Sequence, residues 1–156
     1  MMIAHLPAGY ILGRATRTKG AMLGCVLLAS ILPDIDMLWF HLVDGRSVHH
    51  HRYWTHAPGF WLIIAAITLP AVAILKRHWL PVSMLCFGAI LMHLVLDTLV
   101  GSVMWLWPFN HDFFQLATVS ATHSHWILSF MFHWSFLTEL LICAVAIFLY
   151  VRPHKE

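Results

Sequence analysis

The chain has 156 residues, of which 60% are hydrophobic and 10% are charged, and its formal net charge is +2. A soluble domain carries about 25% charged residues, so this chain has too few to cover a water-exposed surface. Its basic residues are few and scattered, which excludes a patch for nucleic acid. The composition therefore predicts an integral membrane protein, and the length suits a single domain over residues 1–156.

Five apolar segments follow one another along the chain. The first, Met1 to Gly13, reaches only about 20 Å as a helix and cannot cross a hydrocarbon core of ~30 Å. Four longer segments are close to the ~17–25 residues of a spanning helix: Ala21 to Val43, Pro58 to Leu75, Trp79 to Val100 and Trp126 to Val151. We expect an all-α, polytopic membrane bundle of four long spans plus a short N-terminal helix that dips into the membrane.

The motif Leu32-Pro33-Asp34-Ile35-Asp36 interrupts the first long span. Pro33 lacks a backbone donor and disfavours helical angles in the residue before it, so we expect the helix to break at Pro33-Asp34. Asp34 and Asp36 would repel each other at membrane depth unless a cation neutralises them. Capping of the following helix is the alternative for Asp34. A cap explains one aspartate and not two, so both are candidate metal ligands.

A polar loop follows and ends in His51-Arg52-Tyr53-Trp54-Thr55-His56. Neutral imidazoles ligate zinc, manganese or iron, and an arginine binds phosphate or carboxylate through two parallel hydrogen bonds. We predict that His51 and His56 are metal ligands, that Arg52 binds an anionic substrate, and that Thr55 orients a ligand or a water. An interfacial anchor is the competing interpretation, and it suits the two aromatic residues of the loop.

The third long span contains His93-Leu94-Val95-Leu96-Asp97. This spacing places two candidate metal ligands, His93 and Asp97, one helical turn apart on the same face. Interhelical hydrogen bonding is the alternative for this pair. His5 joins the same site if the short first segment dips into the membrane from the outer side. Glu139, in the last span, is either a further metal ligand or a residue that orients one, or it is a protonated carboxyl bonded across helices. Weaker candidates are His111, His123, His125 and His133.

The lysines and arginines are distributed unevenly. If the four long spans alternate, Arg46 and Arg52 fall on one side, and seven fall on the other: Arg14, Arg17, Lys19, Lys76, Arg77, Arg152 and Lys155. The positive-inside rule places the larger group in the cytoplasm. The loops Asp44 to Ala57 and Gly101 to His125, together with the candidate site, should then face the periplasm or the exterior.

These motifs resemble the YdjM family of bacterial inner-membrane, metal-dependent hydrolases. The matching features are His5, Leu32 to Asp36, His51-Arg52 with Thr55-His56, His93 to Asp97, Trp105 to Phe109, and Glu139. The resemblance covers most of the chain and implies a hydrolase in the bacterial inner membrane. More distantly, the order of these residues is similar to that in zinc-dependent phospholipase C and P1-type nucleases, which favours a phosphoester substrate.

The prediction is therefore a membrane-bound hydrolase in which one or two divalent ions activate water. Zinc is the first choice, and manganese or iron are alternatives. The predicted metal ligands are His5, Asp34, Asp36, His51, His56, His93 and Asp97, and the predicted catalytic residues are Arg52, Thr55 and Glu139. The depth of the site implies a membrane lipid or lipid-linked substrate. The alternatives are a lipid amide or ester hydrolase, a divalent-metal transporter or sensor, and a structural membrane protein whose metal only holds helices together.

Overall fold

A computed structural model describes residues 3–45, 47 and 50–152, and the regular elements in this part of the chain are all helical. The α-helices are α1 (His5–Ala15), α2 (Gly20–Ile31), α3 (Asp36–Leu42), α4 (Pro58–Leu75), α5 (Leu80–Asp97), α6 (Trp126–Met131) and α7 (Trp134–Val151). Four stretches are long and apolar enough to cross a membrane: Gly20–Leu42, Pro58–Leu75, Arg77–Asp97 and Trp134–Val151. The predicted all-α polytopic fold is confirmed. Arg46 and Lys155, which the predicted topology also uses, lie outside the described residues.

The outer faces of the spans are apolar. Leu28 is 67% exposed and Ile74 is 81% exposed, as expected for side chains that contact lipid tails. A small apolar core joins α2, α4 and α5 through Val26, Trp61 and Leu94. Many of the other buried side chains are polar or ionisable, so the polar groups of this bundle point inward.

The first long span breaks where Pro33 predicts it. The α-helical part of α2 ends at Ile31, the chain takes a 3-10 turn over Leu32–Ile35, and α3 begins at Asp36. Proline is tolerated in this first turn because the missing N–H would have no partner there. The turn brings both aspartates of the motif next to the 3-10 turn Trp54–His56.

The last predicted span, Trp126 to Val151, is divided into α6 and α7. His133 has an extended backbone (φ −88°, ψ 147°), and its Nδ1 accepts the backbone N–H of Ser135 at 3.3 Å, which caps α7. His125 caps α6 in the same way through Ile127. The caps separate two helices that composition alone joins, and they give both histidines a structural role at the helix ends.

Helix α1 lies beside α7 and runs parallel to it. At one end, Oε2 of Glu139 accepts the backbone N–H of Ile3 at 2.6 Å. At the other end, the Arg14 guanidinium donates to the carbonyl oxygens of Leu149 at 2.7 Å and Arg152 at 3.0 Å. A cation at the C-terminus of a helix is favourable because the helix dipole is negative there. These contacts fix the first turn of α1 inside the bundle.

Two glycines allow α1 to lie close to α2. A Cβ atom on Gly9 would overlap the Ser30 side chain, and one on Gly13 would overlap the Leu23 side chain. Gly9 and Gly13 are four residues apart and share one face of α1. Small residues at this spacing let two membrane helices approach closely. The contact sets the depth at which α1 sits in the bundle.

We expect Gly9→Ala to destabilise the protein and Gly24→Ala, its matched control, to leave the stability unchanged or higher. Both substitutions gain about 1 kcal/mol of helix propensity. The added Cβ has open space at Gly24 but overlaps Ser30 at Gly9, and overpacking typically costs about 1–3 kcal/mol. Melting temperatures of the detergent-solubilised variants measure the difference, and equal values for the two would contradict the packing argument.

Candidate metal centre

Four metal-binding side chains converge at the C-terminal end of α5. Asp34 comes from the 3-10 turn after α2, His56 from the 3-10 turn before α4, and His93 and Asp97 from the end of α5 itself. One ligand atom from each residue lies within 4.8 Å of the others. The spacing of four residues puts His93 and Asp97 on the same face of the helix, as predicted. The cluster could hold a metal ion.

The separations between the four ligand atoms suit a single ion. Nε2 of His93 lies 3.0 Å from Oδ2 of Asp97 and 3.6 Å from Oδ1 of Asp34. Nε2 of His56 lies 3.5 Å from each of the same two oxygens. Around a tetrahedral ion with bonds of about 2.0–2.2 Å, neighbouring ligand atoms are about 3.3–3.6 Å apart. These four separations lie between 3.0 and 3.6 Å, close to this range, and all six lie within 4.8 Å, so the group could hold one divalent cation.

The two histidines of this group are each oriented through Nδ1. Nδ1 of His93 lies 2.9 Å from the backbone oxygen of Ser30, and Nδ1 of His56 lies 2.5 Å from Oδ2 of Asp36. When Nδ1 carries the proton and donates these bonds, Nε2 keeps its lone pair and faces the centre. Nε2 of His93 is buried and has no hydrogen bond to a described residue. A cation would satisfy this atom.

Asp36 and Thr55 lie behind His56. Oδ2 of Asp36 also accepts the hydroxyl of Thr55 at 2.7 Å, and Trp61 donates to the Thr55 carbonyl at 2.7 Å. The structure therefore places Asp36 against the histidine ligand, and the group that could hold an ion does not include it. Thr55 orients this carboxylate. A chain of this kind fixes the ring of a ligating histidine and raises its basicity.

The carboxylates around His56 also determine its charge when no metal is bound. Burial lowers the pKa of His56, but hydrogen bonds with Asp34, Asp36 and Asp97 outweigh burial and raise the pKa to about 11. Without a cation, the ring therefore carries a proton on each nitrogen and is positively charged at neutral pH. Because a ligating imidazole is neutral, metal binding at this site would release one of these protons.

Two further predicted ligands, His5 and His51, are buried beside Asp97. Nε2 of His5 lies 3.1 Å from Oδ1 of Asp97, and the His5 ring stacks on His93 with 3.7 Å between centroids. Nε2 of His51 lies 3.8 Å from Oδ2 of Asp97, and its ring stacks on His56 at 4.6 Å. The structure thus brings both residues to the cluster, and four imidazoles surround one carboxylate.

The remaining predicted residues, Arg52 and Glu139, lie in different surroundings. Glu139 is fully buried and holds the N-terminal segment through the N–H of Ile3. Arg52 is exposed at the end of the 3-10 turn His50–Arg52, next to the buried His51. Within the described part of the chain, no residue pairs with its guanidinium. Arg52 therefore stands at the edge of the cluster with its donors available.

Sequence reasoning missed two contributors to the site. Ser30 acts through its backbone carbonyl, which carries no signal in a sequence. Gly101 lies so close to the centre that a Cβ atom would overlap the His51 ring and come within 2.9 Å of the Asp97 carbonyl oxygen. The only available signal was a glycine placed four residues after Asp97. Any larger residue at this position would displace His51.

The centre is open on the side of Asp34. The side chain of Asp34 is 39% exposed, whereas those of the other three ligands are at most 2% exposed. Its neighbours Ile35, Leu38 and Trp39 are all more than half exposed and face outward from the bundle. The one accessible ligand therefore lies among side chains that suit contact with lipid.

Comparison with known proteins gives a match to one family model, which covers nearly the whole chain. No curated protein and no solved structure matches it. The family model described as YdjM inner membrane protein matches residues 1–155. With four helices apolar enough to cross a membrane, the protein is a multi-pass protein of the inner membrane. The match confirms the resemblance carried by the sequence motifs: the chain belongs to the YdjM inner membrane protein family.

Proposed function

We propose that this protein is a membrane-bound, metal-dependent hydrolase. The observation that carries the proposal is the group of two histidines and two aspartates, spaced as ligands of one ion inside an otherwise apolar bundle. Ionisable groups are costly at membrane depth, and one divalent cation would satisfy all four. A bound divalent ion supplies Lewis acidity, which acidifies water and polarises the bond to be broken.

The donor set suits zinc, with manganese or iron as alternatives. Zinc accepts imidazole and carboxylate ligands at separations close to those between these four atoms, while manganese and iron take the same donors with additional positions. A catalytic ion needs a position accessible to water and substrate, whereas a structural ion is closed on all sides. The exposed side of Asp34 is where water could enter as a fifth ligand or displace that carboxylate, which supports a catalytic ion over a purely structural one.

A lipid-borne phosphoester is the substrate class that these surroundings favour. The open side at Asp34 is bordered by outward-facing apolar residues such as Ile35 and Leu38, so a lipid could approach from within the membrane. Arg52, exposed beside His51, offers the planar guanidinium that binds phosphate through two bonds. A lipid amide or ester would use the same centre but has no need of a guanidinium.

Hydrolysis accounts for the distribution of polar groups better than transport does. In the described part of the chain, no buried polar or charged side chain lies within residues 20–28, 66–75, 80–92 or 140–152. An ion crossing the membrane would need donors along its path, because bare charge is costly in hydrocarbon. A hydrolase needs one centre at one end of the bundle.

The site should face the periplasm or the exterior. The excess of Lys and Arg on the opposite side supports this orientation. At one end of the parallel helices α1 and α7, the Arg14 guanidinium donates to the Arg152 carbonyl oxygen, and at the other end Glu139 accepts the N–H of Ile3. This pairing agrees with the assignment of both arginines to one side of the membrane.

We expect His93→Ala and Asp97→Ala each to lose bound metal and hydrolytic activity, and the double variant to lose little more. Ligands of one ion act as a unit, so their deletions are not additive. Interhelical hydrogen bonds in membranes contribute about 0.6 kcal/mol on average, so a purely structural pair would give mild and nearly independent effects. Elemental analysis of protein purified without chelator measures the metal content.

The matched control is His78→Ala, because His78 is exposed and lies outside the cluster. This variant should keep the metal content of the wild type. Full metal content in either single variant would remove that residue from the ligands. A wild-type protein without metal would overturn the metal centre.

We expect Arg52→Lys to lower kcat/KM on a phospholipid or polyprenyl phosphate substrate while the metal content stays the same. Lysine keeps the charge but loses one of the two parallel hydrogen bonds that a guanidinium makes to phosphate, and a charge-assisted bond contributes about 1.5–3 kcal/mol, or about 10- to 150-fold. Mass spectrometry of lipid products measures turnover, and Arg17→Lys is the control on an exposed arginine of the other side. If Arg52→Lys instead loses its metal, Arg52 holds the loop together and does not bind the substrate.

We expect cysteines introduced at Asp44 and Asn110 to react with a membrane-impermeant maleimide in intact cells, and a cysteine at His78 to be protected. The three native cysteines, Cys25, Cys86 and Cys143, are replaced by alanine in the background. The expectation follows from the charge asymmetry between the two sides. Labelling at position 78 with protection at the other two would reverse the orientation.

A further inference from the structure

A groove of about 470 Å³ lies at the end of α5, and none of the four metal-binding residues lines it. Val95, Thr98 and Leu99 form one wall, and Trp105, Phe114 and Leu116 belong to the other. Val95 follows His93 by two residues, which places it about 200° around α5 from that histidine. The groove therefore occupies the side of α5 away from the centre.

Backbone hydrogen bonds hold the two walls of the groove together. The N–H of Leu116 donates to the Thr98 carbonyl at 2.8 Å, and the indole of Trp105 donates to the Thr98 hydroxyl at 2.9 Å. Val103 and Phe114 exchange two backbone bonds of 3.0 Å, which closes the segment on itself. These bonds tie the segment to α5 at a fixed distance, so the groove has a defined shape.

The groove continues the lipid-facing surface of the bundle. Val95 is 52% exposed on a stretch that is apolar enough to span the membrane. On the opposite wall, Leu106 and Leu116 are each 63% exposed. Apolar patches of this kind are rare on surfaces that face water and mark sites for lipid or another apolar partner. Continuity with the lipid-facing side of α5 identifies the occupant as an acyl chain.

The lining of the groove also includes two polar residues, Asn110 and Asp112, and the Asn110 amide donates to the Asp112 carboxylate at 2.8 Å. Among the described residues, no lysine or arginine pairs with the Asp112 carboxylate. A carboxylate in the lining of a mostly apolar groove complements a cationic group attached to an apolar chain. A phospholipid amine has this chemistry.

We propose that the groove binds one acyl chain of a phospholipid whose headgroup carries an amine, with the amine beside Asp112. The site requires neither the metal nor turnover, so it goes beyond the hydrolase function. It holds a lipid against the segment that follows α5, within one residue of the ligand Asp97.

The test is photolabelling of purified protein with phosphatidylethanolamine that carries a diazirine on one acyl chain. Label should concentrate in residues 95–116, and Leu99→Trp, which fills the groove, should lower it at least tenfold. Ile67→Trp is the matched control, because Ile67 is 68% exposed on α4 and lies outside the groove. If Leu99→Trp does not fold, Val95→Trp fills the groove from its lipid-facing side.

The headgroup is tested with the corresponding phosphatidylglycerol probe. The amine probe should label the groove more strongly, and Asp112→Asn should remove the difference. Equal labelling by both lipids in the wild type, or label spread evenly over all spans, would overturn the proposal. The variant His93→Ala should keep the labelling of the wild type, so a failure of the hydrolase function leaves this result intact and the two outcomes are separable.

Discussion

The burial of the Asp97 carboxylate is the constraint on which the rest of this structure depends. Asp97 is 1% exposed in an apolar bundle, and a buried carboxylate is tolerated only where other groups compensate its charge. Imidazoles from α1, from two 3-10 turns and from α5 itself surround it. The short first helix thus brings one imidazole to this carboxylate, and the loop before α4 brings two.

The packing of α1 follows from this requirement. Lipid tails are as apolar as the helix surfaces, so a membrane helix gains little from the hydrophobic effect when it docks on its neighbours. Close contact through Gly9 and polar contacts through Arg14 and Glu139 replace that driving force. They act at both ends and on one face of α1, which fixes the position of His5 next to Asp97.

The sequence predicts the spans, the break at Pro33 and the pairing of His93 with Asp97, because each rests on local chemistry. It does not predict that Asp34 and Asp36 face different ways. Successive residues of a 3-10 turn are about 120° apart around its axis. Asp34 and Asp36 have one residue between them, so their side chains point in different directions. Asp34 then reaches the centre while Asp36 reaches the back of His56. The sequence alone does not distinguish this 3-10 turn from other ways of breaking the helix, because the difference lies in the backbone hydrogen bonds.

The position of the centre along the spans bears on its chemistry. Three ligands are sealed, and the fourth, Asp34, opens among side chains that face lipid. His93 and Asp97 occupy the last turn of the span Arg77–Asp97, so the centre lies at one end of this span. The proposed hydrolysis of a lipid would need water and the lipid's polar bond at one point, and a centre at the end of a span suits that requirement. A metal that only joined helices would have no reason to leave one ligand exposed there.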